Sequence, residues 1–239
     1  MELAQDLTAE ALATALPGRA IRTYPAMLST EADALAWGRA GGPAGAVVVA
    51  DYQASPRGRG GWEWRVTPGH GLGFSLLLRP NLPAEREGWP YLVAGTAFGD
   101  ILGAGAGLHW PDEVHLGDRR GAAVGVHAEL GPQGVEWITM TVLVDDVEPP
   151  RAPVLAQVVA AVEHRLDDST DTVLDDYRSR CTTLGKGVVA RLLPLGPSGV
   201  RVEGQAVDCR HDGSLVILTA GGRRVAVPPQ HLGILETGD

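Results

Sequence analysis

Gln53-Ala54-Ser55-Pro56-Arg57-Gly58-Arg59-Gly60-Gly61-Trp62-Glu63-Trp64 follows directly on a continuous apolar run, Ala46 to Ala50. Five apolar residues in a row suit a strand covered on both faces. The loop after it lacks any periodicity. Its glycines allow close backbone approach, and its two guanidinium groups suit bidentate hydrogen bonding to a carboxylate or phosphate. The Gly-Lys-Ser/Thr ending of a P-loop is absent. Gln53, at the mouth of the strand, can both donate to and accept from a polar ligand group. Trp62 and Trp64 alternate through Glu63 in what reads as a strand, so both indoles face one side. They line a pocket floor or belong to the core. For the loop as a whole, the competing reading is a solvated surface segment.

Working outward, a helix is expected from Thr8 to Leu16, capped by Thr8 and stopped by Pro17-Gly18, then a short strand from Ile21 to Tyr24. Ser29-Thr30 opens a second helix to about Arg39. Beyond the loop, Leu72 to Leu78 is a buried strand and Trp89 to Leu102 a buried helix. A strand resumes around His109 to Val114, and Ala122 to Leu130 and Val135 to Val144 form a hairpin across a Gly131-Pro132-Gln133-Gly134 turn. Pro149 to Pro153 breaks the pattern before an amphipathic helix from Val154 to Leu166, and Asp175 to Arg180 is a last short helix. From Gly185 onward come short strands (Val188 to Leu192, Val200 to Asp208, Leu215 to Thr219, Arg223 to Val227) with glycine-rich turns, the pattern of a small barrel. The expectation is an α+β unit over residues 1–182 and a β-barrel unit over 183–239, closely packed because no low-complexity linker separates them.

The chain has 239 residues and a formal net charge of -9 from 29 acidic and 20 basic residues, which disfavours a phosphate backbone as partner. No apolar run is long enough to cross a bilayer, and the start shows no signal-peptide pattern, so a cytoplasmic address and no membrane partner are expected. Cys181 and Cys209 read as ordinary thiols rather than a disulfide or zinc framework. Lys186 is the only lysine.

Taken together, Ser29-Thr30, the Gln53 to Trp64 loop, the run Gly71, Phe74, Ser75, Leu78, Arg79 and Pro80, and His109-Trp110-Pro111-Asp112-Glu113 resemble the catalytic domain of biotin protein ligases, within the biotin and lipoate ligase superfamily. The stretch from Asp176-Tyr177-Arg178 through Leu184-Gly185 into the terminal strands resembles that family's SH3-like domain. The resemblance implies a mixed-sheet domain of the class II synthetase type followed by an SH3-like barrel. It also implies formation of an acyl-adenylate from ATP and biotin or an analogue, with Mg²⁺, and transfer to a lysine of a carrier protein. A homodimer is among the assemblies expected. The segment ahead of Arg22 is too short for the DNA-binding module some members carry, which disfavours a repressor role. By resemblance, Ser29, Thr30 and Gln53 surround the biotin head with Trp62 and Trp64 near, Arg57 and Arg59 close over carboxylate and phosphate, Trp110 borders the nucleotide, and Asp112 and Glu113 are the metal candidates.

The departures from the family pattern all fall in this site. His109 stands where the family has lysine, and a histidine carries its charge at neutral pH only if Asp112 or Glu113 raises its pKa. The family's second lysine matches Arg120 in one register and Ala122 in another. Met140 to Asp146 replaces a glycine-rich strand, so side chains stand where backbone touches ligand. Three readings follow: an adenylate-forming enzyme, a catalytically silent relative binding a small ligand or a protein, and a subunit of a larger complex. A pocket filled by Trp62, Met140 or Val142 would favour the silent relative.

Overall fold

The computed structural model describes residues 3–59, 64, 66, 67, 69–196 and 199–238. A mixed seven-stranded sheet forms the larger part. Its strands are β1 (Ile21–Tyr24), β2 (Ala46–Ala50), β3 (Leu72–Leu78), β4 (Ala106–His109), β5 (Glu113–Leu116), β6 (Arg119–Gly131) and β7 (Gly134–Val144), in the order β1-β2-β3-β7-β6-β5-β4. Only the β1–β2 pair is parallel; every other pair is antiparallel. The helices are α1 (Ala9–Ala15), α2 (Thr30–Arg39), α3 (Trp89–Leu102), α4 (Arg151–Asp167) and α5 (Thr170–Arg180).

Residue alternation along the strands divides the helices between the two faces. Val47, Val49, Phe74, Leu76, Met140, Val142, Ala122 and Val124 point into the main core with α3 and α4. On the opposite face α2 lays Leu35 and Trp37 against Ala46, Leu77 and Trp137. The polar residues Gln53, Ser75 and Thr141 lie toward that second face, beside the start of α2.

Two helices begin earlier than their patterns suggest. Helix α4 starts at Arg151, because Pro153 in a first turn gives up an N–H that has no intrahelical partner. Helix α5 starts at Thr170, with the Ser169 hydroxyl accepting the Thr172 N–H at 3.1 Å. Of the strand expected over Trp62 to Val66, the described residues Trp64 and Val66 belong to no strand, and Trp62, Glu63 and Arg65 lie outside the described residues.

The carboxy-terminal part is a five-stranded antiparallel sheet of β8 (Gly187–Leu192), β9 (Arg201–Cys209), β10 (Leu215–Leu218), β11 (Arg224–Val227) and β12 (Leu232–Thr237), ordered β11-β10-β9-β8-β12. Among the described residues no pairing joins β11 to β12 to close a barrel. Strand β12 escapes the sequence pattern, yet it pairs with β8 and reaches the larger sheet. Val188, Ala190, Cys209, Ile217 and Leu232 join the same apolar core as α3, Leu108 and Tyr177, so the two sheets share one interior.

Candidate functional site

Gln53 sits just past β2, held by a parallel bridge to Met27. Its Oε1 accepts the Thr30 backbone N–H at 2.8 Å and the Thr30 hydroxyl at 3.2 Å. A backbone N–H can only donate, which fixes the amide orientation without appeal to density. Ser75 Oγ donates to Thr30 Oγ1 at 3.0 Å and lies 2.8 Å from Thr141 Oγ1, which must then be the donor to Ser75. Every proton in this buried ladder points toward Gln53 Oε1. Among the described residues, Gln53 Nε2 and Ser29 Oγ are left buried with no hydrogen-bond partner. The site therefore presents two amide N–H donors and a hydroxyl, an arrangement that suits a ligand oxygen with a neighbouring polar group.

Glycine makes the room that this buried amide occupies. A Cβ on Gly73 would lie 2.2 Å from Gln53 Nε2 and 3.0 Å from Leu143 Cδ2. Next to it, Trp64 packs with Ala123 and Leu143, and its N–H returns to the Pro56 carbonyl at 3.2 Å. A Cβ on Gly58 would fall 2.1 Å from the Trp64 indole, and one on Gly125 would touch the Gly58–Arg59 backbone at 3.4 Å. The loop thus lies down on β6, with glycine on both sides of the contact.

The two loop arginines diverge. Arg57 lies near Glu31; burial raises the Glu31 pKa, and the charges of His127 and Arg57 partly offset that. Arg59 turns the other way, its Nε donating to Asp112 Oδ1 at 3.1 Å and its Nη1 to the Leu232 carbonyl at the start of β12. Burial holds the Asp112 carboxyl above the usual range despite that partner.

Arg59 opens a cleft of about 600 Å³ between the β4–β5 hairpin and β12, also lined by His109, Glu113, Arg120 and Ile234. Ala122 is fully buried in the core, whereas Arg120 faces this cleft and bonds Glu113 and Asp145, each at 3.3 Å. Of the two registers left open by the sequence, the one through Arg120 therefore supplies a cation here. Trp110 lines the same cleft, but its indole is buried and donates to the Gly213 carbonyl at 2.9 Å, tying the two sheets together.

The condition under which His109 would carry its charge at neutral pH, a pKa raised by Asp112 or Glu113, is not met. Burial lowers it first, then repulsion from His115 and Lys186, against which Glu113 is the weaker influence. The cause is a neighbour the sequence did not single out: His115 stacks on His109 with centroids 3.8 Å apart and planes 13° from parallel, and takes Glu113 for itself at 2.9 Å. Met140 and Val142 do not fill the pocket; both are in the core, and Leu143 is the side chain that reaches it. Trp62 lies outside the described residues. Asp112 and Glu113 each already face cations of the chain, and among the described residues no group of three or more His, Cys, Asp or Glu side chains could hold a metal ion. Thr141, His115 and β12 were missed by sequence reasoning, and Ser75 was read as part of the Gly71 to Pro80 run without a role; only the hydroxyls inside two apolar strands gave any signal.

No family model matches the chain. A biotin--[acetyl-CoA-carboxylase] ligase from Mycobacterium tuberculosis is 31% identical over 227 aligned residues, covering 83% of each chain. The bifunctional ligase/repressor BirA of Bacillus subtilis is 28% identical over 123 residues, half of this chain. Among solved structures, the Aquifex aeolicus biotin protein ligase in complex with biotin and ATP aligns with a TM-score of 0.69 at 21% identity, covering 92% of this chain and 99% of that one. A biotin protein ligase-like protein of unknown function from Silicibacter sp. aligns at 0.67 with 14% identity, over 90% of this chain and 96% of that one. Those structures share the fold, and the mycobacterial relative supplies the family: the chain belongs to the biotin protein ligases.

Proposed function

We propose that the chain activates a carboxylic acid, biotin or a close analogue, with ATP as an acyl-adenylate and transfers the acyl group to a lysine of a carrier protein in the cytoplasm. The observation that carries this reading is the pair of buried, unpartnered groups, Gln53 Nε2 and Ser29 Oγ, at the end of a fully directed hydrogen-bond ladder. A buried donor without an acceptor costs about 1–3 kcal/mol, a penalty that a ligand oxygen would relieve. From there the ligand's apolar chain would run past Leu143 and Trp64 beneath Gly58, bringing its carboxylate toward Arg59. Arg59 and Arg120 would balance the negative charge of carboxylate and nucleotide in the cleft, where low dielectric strengthens such contacts. Mg²⁺ would enter as the companion of ATP, and no step is assigned to it here. Residues 1–182 would carry the ligand, and residues 183–239 would complete the nucleotide cleft through β12.

One observation favours a second reading, a silent relative that binds without catalysing. Arg59 is already held by Asp112 and Leu232, and neutral His109 stands where the family has lysine. Calorimetric titration with biotin and with ATP and Mg²⁺, followed by pyrophosphate release in the same sample, separates the two. Coupled binding with release supports the ligase; binding of biotin without release supports the silent relative; no binding of either ligand overturns both.

A further inference from the structure

Cys181 and Cys209, distant in sequence, are brought together where the two sheets meet. Cys181 ends α5 and bridges Leu108 at the edge of the larger sheet, and Cys209 ends β9 of the smaller one. Arg178 connects them: its carbonyl accepts the Cys181 N–H at 3.4 Å, while its guanidinium donates to the Cys209 carbonyl at 3.0 Å and to Asp208 at 2.8 Å. Each thiol bears on the other's ionisation as an immediate side-chain neighbour, and both belong to the shared core. They are the only cysteines in the chain.

We propose that this pair is a redox modification site, closed to a disulfide by a peroxide and reopened by thiols, which pins the five-stranded sheet to the seven-stranded one.

The surroundings assign an order to the chemistry. Cys181 retains 8% of its surface and Cys209 none, so a small oxidant meets Cys181 first. The Cys209 S–H and the backbone N–H groups of Thr183 and Leu184 donate to Cys181 and favour its thiolate. Cys209, beside that sulfur and Asp208, with only Arg178 opposing, keeps its proton. Tyr177 is the other ionisable group at the pair, and burial holds it protonated. The Cys181 thiolate attacks one oxygen of hydrogen peroxide, and the O–O bond breaks with loss of hydroxide, leaving a sulfenic acid. Cys209 sulfur then attacks Cys181 sulfur, giving up its proton as the S–O bond breaks and water leaves. Two thiols and one peroxide yield one disulfide and two waters, a two-electron oxidation of the sulfurs. In a reducing compartment such a bond is transient, as a switch requires.

The test uses the intact wild-type chain. Hydrogen peroxide is added, the protein is denatured in iodoacetamide, and the mass is measured before and after tryptic digestion. The expected result is loss of two hydrogens, no alkylated thiol, and a linked pair of peptides covering residues 181–186 and 202–210. Dithiothreitol should restore two alkylated thiols, and the oxidised chain should melt about 5 °C higher than the reduced one. In Cys209→Ser, dimedone should label Cys181 instead. Two alkylated thiols after peroxide, a sulfinic acid at Cys181 without a cross-link, or disulfides only between chains would each overturn the proposal. None of these outcomes depends on biotin or ATP binding.

Discussion

Replacing Gln53 by leucine separates what the ladder does for folding from what it does for a ligand. The change preserves volume and removes the amide. Thr30, fully buried, loses the acceptor of its N–H and of its hydroxyl, two bonds of 2.8 and 3.2 Å. Two buried donors left without an acceptor cost about 1–3 kcal/mol each. Against it, Nε2 is no longer buried without a partner, which returns about 1–3 kcal/mol. Two groups are stranded and one is relieved, so folding stability should fall by about 1–3 kcal/mol. The ligand has no such compensation. It would lose two buried donors, about 1–3 kcal/mol, or roughly 5- to 150-fold in Kd. Urea unfolding and calorimetry with biotin on both proteins measure the two quantities separately. A Kd for biotin unchanged within about twofold in a folded variant would refute the placement of the ligand on Gln53. A large loss of stability with unchanged affinity would show that the amide already has its partner inside the protein.

Two further predictions concern charges that hold the site's frame. Arg151, almost wholly buried, bonds Asp6 at 2.9 Å and lies 2.7 Å from Asp51, so Arg151→Met should cost about 3–5 kcal/mol in denaturant unfolding by stranding both carboxylates. The hydrogen bond from Arg151 holds Asp6 below the ordinary aspartate range. Its contribution is therefore present at and above the ordinary aspartate pKa and lost as pH falls through the lower folded value, a loss the variant should not show. For Arg59→Ala the difference should run the same way, from a carboxylate whose pKa starts high rather than low. Burial already raises the Asp112 pKa, and without Arg59 it should rise further, so the cost, about 3 kcal/mol, should be largest at neutral pH and shrink toward acid as Asp112 is protonated. A pH-independent difference in urea midpoint would show that Asp112 does not depend on Arg59.

Much of the frame was legible because it is written in local patterns. The apolar runs Ala46 to Ala50 and Leu72 to Leu78 could only be covered strands, and the small and apolar residues of Trp89 to Leu102 could only be a buried helix. The Ser29, Thr30 and Gln53 constellation was legible as a motif. Its extension through Ser75 and Thr141 was not, because those residues meet only through the register of β3 against β7. The stacking of His115 on His109 likewise depends on a β-hairpin register, and the meeting of the two cysteines on how two sheets dock. Pro153 misled in the other direction: read as a breaker, it sits in a first turn where its missing N–H costs nothing. Strand β12, six residues of mixed polarity, carries little of the alternation that reveals a strand.

One bond of Arg59 has a consequence beyond the cleft. Its guanidinium joins the ligand loop to the first carbonyl of β12, so the position of that arginine and the docking of the carboxy-terminal sheet are a single thermodynamic variable. Coupling of this kind is reciprocal: whatever ligand prefers Arg59 in its present place must tighten the seating of the sheet by the same factor by which the seated sheet tightens the ligand. The small sheet would then act as an effector that the chain carries permanently, its grip on the larger sheet felt by any ligand at Arg59 in the cleft that β12 lines.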